Sequence, residues 1–122
     1  MKHITKTICL DFDGVVHGNS KGFYDGTVYD DPIPGSIDAI KLLATKYIIV
    51  LFTAKVKPDR PLVNGKTGEE LIWEWLEKYE IASLVKEITC EKPRAVAYID
   101  DKGIRFNNWE DTLKELNEIT NS

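Results

Sequence analysis

Ile8-Cys9-Leu10-Asp11-Phe12-Asp13-Gly14, an apolar run that ends abruptly in two acidic residues and a glycine, decides how the rest of the 122-residue chain is read. In an extended strand successive side chains alternate faces, so Asp11 and Asp13 project one way while Phe12 turns into the core. Gly14 then lets the backbone turn tightly where the strand stops. Two carboxylates this close repel by about 4 kcal/mol at a separation of about 4 Å in a partly solvated site, so the pair must share a proton or hold a cation. Asp-x-Asp-Gly arises by chance in about one chain of this length in thirty. Its meaning therefore depends on what the other strands end in.

Working outward, Tyr47 to Phe52 is a second short run rich in β-formers and Ala95 to Ile99 a third. Between the first two, Ile37, Ile40, Leu43 and Ala44 fall on one helical face behind the start signal Pro34-Gly35-Ser36. Thr67-Gly68-Glu69-Glu70 is a capping-box pattern, followed at helical spacing by Leu71, Ile72, Trp75, Leu76 and Tyr79. A last helix begins near Asn108 and carries Leu113, Leu116 and Ile119 inward. Strands alternating with helices imply a mostly parallel sheet wound by right-handed crossovers. Trp73, Trp75 and Trp109 are then packing residues. Residues 15–31, with Gly18, Gly22, Gly26 and the aromatic Phe23, Tyr24 and Tyr29, read as an irregular hairpin or flap directly after the first strand.

One domain with one core fits the length and the 43 % hydrophobic content, so residues 1–122 are expected to form a single unit. No apolar stretch approaches the length of a membrane helix and the N-terminus lacks a signal-peptide pattern, so a cytoplasmic protein with no membrane partner is expected. Cys9 and Cys90 form no disulfide framework and no metal-ligand pattern, and are expected as plain core or near-surface residues. The net charge of −4 argues against general affinity for nucleic acid, which clustered Lys and Arg provide. The local exception is the 54–66 loop, where Lys55, Lys57, Arg60 and Lys66 are opposed by Asp59 alone. Its bland reading is a solvated loop.

Each apolar run stops at reactive polar residues: the first at Asp11, the second at Thr53, the third at Asp100-Asp101. In a parallel sheet those ends lie along one edge, where open α/β folds bind ligands. Asp100 and Asp101 reach the same site only if the strand breaks between them, and Lys102-Gly103 suit such a turn. A cluster of hard oxygens suits Mg²⁺; calcium takes more ligands, and zinc takes His or Cys.

With these residues in place the chain resembles the haloacid dehalogenase superfamily of phosphotransferases over most of its length. Four motifs match in order: Asp11 to Gly14, Thr53, Lys92, and Asp100-Asp101. The resemblance implies a doubly wound, three-layer α/β/α Rossmann-like fold and a Mg²⁺-dependent phosphohydrolase acting on a small phosphorylated substrate. Asp11 would attack phosphorus to form an aspartyl-phosphate. Asp13 would protonate the leaving oxygen and then activate water, and its backbone carbonyl would ligate the metal. Asp11, Asp100 and Asp101 would complete the metal shell, directly or through water. Thr53 and the amide of Ala54 would hold phosphoryl oxygens, and Lys92 would offset their charge. Lys92 stands only eight residues before Asp100, so the chain must bend to bring it to the site; Lys55 is the first substitute and Lys102 the second. The ending Ile99-Asp100-Asp101-Lys102 is similar to the superfamily's nucleotidase branch.

Larger members carry a cap domain, whereas the corresponding intervals here hold only the 15–31 flap and the 54–66 loop. A capless member with an open site is implied, so water exclusion and substrate choice must come from the flap, the loop, an oligomeric partner or a large substrate. Gly14 and His17 are candidate substrate contacts; for His17 the competing reading is an exposed flap residue. His3 is incidental, and Asp25, Asp30 and Asp31 are flap and turn residues. Three other readings compete. A phosphoacceptor receiver domain shares the length and the Lys92-Pro93 dipeptide, but places its acidic pair first and its phosphorylated Asp on the middle strand. A silent phosphate-binding module has no use for Asp13. An enzyme acting on nucleotides or nucleic-acid ends would suit the basic loop, against the overall acidity.

Overall fold

A computed structural model describes residues 6–18, 28, 30–63, 65–91, 95, 97–100 and 104–120, with 97, 98, 100, 104, 105 and 118–120 described by backbone alone. Among the described residues five strands form an open, all-parallel sheet in the order β3-β2-β1-β4-β5. They are β1 (Lys6–Asp11), β2 (Tyr47–Phe52), β3 (Val85–Thr89), β4 (Ala97–Asp100) and β5 (Ile104–Arg105). Three helices accompany them: α1 (Ser36–Leu43), α2 (Gly68–Lys78) and α3 (Trp109–Thr120). The chain is thus an α/β protein compatible with a Rossmann-like fold.

The first two strands lie where their apolar runs place them, and the third, expected over Ala95 to Ile99, starts two residues later. Two strands escape the sequence pattern. β3 reads Val85-Lys86-Glu87-Ile88-Thr89, and its pairing slips between Ile49 and Val50, so two exposed polar residues stand side by side instead of alternating. β5 has only two residues.

Side-chain alternation sorts the central strands into two faces. Ile8 and Leu10 of β1 pair with Ile49 and Leu51 of β2, and Leu10 pairs with Ile99 of β4. These residues belong to one buried cluster with Ile40 and Leu43 of α1, Ile72, Trp75 and Leu76 of α2, and Trp109 and Leu116 of α3. The three described helices therefore close a single core against one face of the sheet. On the opposite face Cys9 and Val50 are also buried, outside that cluster. The β3–β4 connection is seven residues long, shorter than the ten to twelve or so that a crossover with its helix takes.

Local signals set the helix starts. Gly35 adopts φ 84°, a left-handed turn at the entry to α1 that suits glycine. Ser36 does not cap the helix; its hydroxyl donates to the buried carbonyl of Val16, 3.2 Å away. The Thr67 hydroxyl accepts from Glu70 N and the Glu70 carboxylate from Thr67 N, both at 3.1 Å, completing the expected capping box of α2. Asn108 accepts from Asp111 N at 2.9 Å and opens α3. Trp75 and Trp109 pack in the core as expected, each with its indole N–H satisfied at 3.0 Å, by Asp30 O and Val15 O respectively. Cys9 is buried, Cys90 half-buried, and neither forms a disulfide. Among the described residues no helix is long and apolar enough to cross a membrane.

Candidate active site

Parallel pairing brings the strand ends together. β1 and β2 run in register to the pair Asp11 and Phe52, so Thr53 follows beside Phe12; Phe12 N donates to Phe52 O at 2.9 Å and Thr53 N to Thr89 O at 2.9 Å. On the other side Leu10 pairs with Ile99, and one step further stand Asp11 and Asp100. Adjacent parallel strands lie about 4.8 Å apart, which sets Asp11 and Asp100 at neighbouring positions on the C-terminal edge. Phe12 is fully buried, as alternation requires, and Asp11 half-exposed.

Past Asp13 the chain folds back at once. Gly14 takes φ 86° and donates its N–H to His17 O at 2.7 Å, while the N–H groups of Val16 and His17 both reach Phe12 O, at 3.0 and 2.8 Å. Val15, Val16 and His17 are consequently buried, which overturns the reading of His17 as an exposed flap residue. Of the 15–31 flap, residues 19–27 and 29 lie outside the described set.

Asp13 is the hub of the site. One carboxylate oxygen, Oδ2, accepts the Thr53 hydroxyl at 2.8 Å; the other, Oδ1, lies 3.3 Å from His17 Nδ1 and 3.3 Å from the ammonium of Lys55. Burial opposes its ionisation, but the hydrogen bonds from His17 and Thr53 and the ammonium of Lys55 outweigh burial and hold the carboxyl below its usual range. Lys55 is itself only 2 % exposed, a position a charged lysine tolerates when paired. The 3-10 turn Ala54–Val56 puts it there: Thr53 caps the turn, its hydroxyl oxygen accepting from Lys55 N at 3.1 Å. Thr53 thus meets both Asp13 and the turn.

His17 is held from three sides. Its Nε2 accepts the backbone N–H of Asp30 at 2.9 Å, which leaves the ring proton on Nδ1, facing Asp13. Its ring stacks on Phe12 with centroids 5.1 Å apart and meets the edge of Trp75 at 5.7 Å. With both nitrogens engaged inside the protein, His17 orients Asp13.

No family model, curated protein or solved structure matches the chain.

Of the residues singled out in the sequence, the structure brings Asp11, Asp13, Gly14, His17, Thr53, Ala54 and Lys55 to one edge and ends β4 there at Asp100. Lys92, Asp101 and the second substitute Lys102 lie outside the described residues. The first substitute, Lys55, does reach the site. Sequence reasoning missed that His17 grips Asp13, although a histidine four residues on, across a glycine turn, was the available signal. For a metal, the donor set is one of hard oxygens, with Asp11 and Asp100 on adjacent strand ends. The Asp13 carboxylate is already engaged by three donors, which leaves its main-chain carbonyl as the oxygen it can offer. Hard oxygens are what Mg²⁺ takes, few from protein and the rest from waters or phosphate oxygens; among the described residues no three His, Cys, Asp or Glu stand together to hold a metal by themselves.

A cavity of about 300 Å³ between α1 and α3 reaches Tyr47 at the start of β2, the opposite edge of the sheet, and is no part of this site.

Proposed function

We propose that the protein is a Mg²⁺-dependent phosphohydrolase of the haloacid dehalogenase type, acting through an aspartyl-phosphate on a phosphomonoester. The observation that carries the proposal is the convergence, on one edge of a parallel sheet, of Asp11, Asp13, Thr53 and the end of β4 at Asp100, with Lys55 buried against Asp13. The short β2–α2 interval supports a capless form. A cytoplasmic enzyme with a small phosphorylated substrate belongs to the same reading.

A carboxylate oxygen of Asp11 attacks phosphorus as the bond to the alcohol oxygen breaks, and Asp13 gives that oxygen a proton. Water then transfers a proton back to Asp13 while its oxygen attacks phosphorus, breaking the bond to Asp11 and releasing inorganic phosphate. Bound Mg²⁺, held by Asp11, Asp100 and the Asp13 carbonyl, with Asp101 directly or through water, would supply charge neutralisation for the phosphoryl oxygens. The lowered pKa of Asp13 keeps its carboxylate ionised and so able to accept a proton. Its role as acid needs a proton taken up once dianionic phosphate binds beside it, because a neighbouring negative charge raises a carboxyl pKa. Thr53 and the Ala54 amide hold phosphoryl oxygens, and Lys55 balances charge where the site is driest.

Release of phosphate from p-nitrophenyl phosphate, with and without Mg²⁺, tests the reading. Metal-dependent turnover that disappears in Asp11→Asn is expected. Absence of turnover across a broad phosphoester panel, or full activity of Asp11→Asn, would overturn it.

A further inference from the structure

Beside Lys55 opens a second cavity, of about 350 Å³, between the 3-10 turn, the loop that follows it and the first turn of α2. Among the described residues its walls carry the exposed cations Lys57 and Arg60 and one anion, Glu69, with Leu62 and Val56 as apolar surface; Lys55 lines it too, its ammonium buried against Asp13. In a chain whose net charge is −4, this excess of positive charge is local.

Two contacts fix the cavity. Arg60 Nε donates to Ala54 O at 3.3 Å, which ties the guanidinium to the turn that carries Lys55. At Gly68 the helix passes so close to the Lys55 carbonyl that a β-carbon there would overlap it, so the first turn of α2 forms a wall set hard against the same residue. Glu69 is turned along its helix, one oxygen accepting the Trp73 indole N–H at 3.3 Å. Lys57 and Arg60 are exposed to whatever enters. Lys55 lines the cavity and its ammonium touches Asp13, so one residue stands between the cavity and the proposed phosphoryl site.

We propose that this cavity receives a second anionic group, carboxylate or phosphate, carried on the organic portion of the substrate. The inference rests on the phosphohydrolase reading for its orientation: phosphoryl group at Asp11, alcohol portion across Lys55, second anion between Lys57 and Arg60. The volume is at the small end of ligand pockets, about 300–1,000 Å³, enough for one ring-sized group. Leu62 and Val56 supply the apolar contact such a group needs.

Non-hydrolysable probes test it without requiring turnover. Benzylphosphonate, 4-carboxybenzylphosphonate and p-xylylenediphosphonate share a ring and differ in the second charge; their affinities are measured by calorimetry in Mg²⁺, with the amide shifts of Lys57, Arg60 and Gly68 followed by NMR. A probe bearing a second anionic group is expected to bind about fivefold more tightly than benzylphosphonate, the scale of one exposed ion pair, and to lose that advantage in Lys57→Glu. The tighter of the two probes with a second anionic group identifies carboxylate or phosphate as that group. Equal affinity for all three probes, or discrimination that survives Lys57→Glu, overturns the proposal. Hydrolysis of phenyl phosphate by the same preparation reports separately on the phosphohydrolase reading: discrimination without any hydrolysis keeps the cavity and removes the enzyme, and hydrolysis without discrimination does the reverse.

Discussion

Replacing His17 by phenylalanine separates polarity from packing at the hub of the site. A phenyl ring keeps the stack on Phe12 and the edge contact with Trp75, so the loss falls on polar contacts, among them the hydrogen bonds to Asp13 and Asp30. The bond to Asp13 is to a charged acceptor but long at 3.3 Å, and Asp13 keeps Thr53 and Lys55, so the low end of the range applies, about 1.5 kcal/mol. The Asp30 N–H loses its acceptor in a half-buried position, at a cost of about 1 kcal/mol. His17→Phe should therefore destabilise the fold by about 2.5 kcal/mol, or about 10 °C in Tm for a chain of this size. Urea and thermal unfolding by circular dichroism measure it. In an Asp13→Ala background the same substitution should cost about 1.5 kcal/mol less, since the bond to Asp13 is already gone. His17→Asn, whose amide nitrogen falls near Nδ1, should recover part of the difference. A cost below about 0.5 kcal/mol, or one that is unchanged when Asp13 is absent, would refute the claim that His17 is held for Asp13.

The lowered pKa of Asp13 makes a signed prediction: its contribution to stability is complete above the unfolded value of about 3.9 and disappears as pH falls through the lower folded value. Wild type should lose stability more steeply than Asp13→Asn from about pH 4 downward, and matching slopes in acid titrations of unfolding would count against the hub. Lys55→Met keeps the buried stem and removes the ammonium; phosphatase kcat should fall about a hundredfold, the scale of one preorganised charge, with a smaller loss in Lys92→Met. The reverse ranking would return the role to Lys92. Gly68→Ala replaces the poorest of the non-proline helix formers and would gain up to about 1 kcal/mol on propensity alone. Because the new methyl overlaps the Lys55 carbonyl, a loss of about 1–3 kcal/mol is expected instead, and a rise in Tm would show the contact to be loose.

The parts of this fold that were legible in the sequence are those written in short periods. Ile8 to Phe12 and Tyr47 to Phe52 are buried on both faces, so they read as continuous apolar runs. The Thr67 and Glu70 box is a local signal acting over three residues, and it formed as written. β3 was illegible because an irregular pairing put Lys86 and Glu87 side by side, and β5 because two residues carry no period. In the site, Asp11, Asp13 and Thr53 were readable as the places where strands stop. The grip of His17 on Asp13 was not, since it depends on Gly14 reversing the chain and on a backbone N–H from Asp30, thirteen residues further on. Lys55 ranked behind Lys92 in the sequence because nothing in a run of exposed-looking basic residues shows that one of them turns inward on a 3-10 turn.

The backbone contact between Gly68 and Lys55 also has a use in protein engineering. It clamps together the two ends of the segment 56–67, so the path between them can lengthen without displacing the lysine turn or the start of α2. Closing a flexible loop of twice the length costs only about 0.6 kcal/mol more. The exposed Asp59, which lines no cavity described above, is thus an insertion port: a reporter, an affinity handle or a grafted lid placed there would be carried on a fixed frame beside the site.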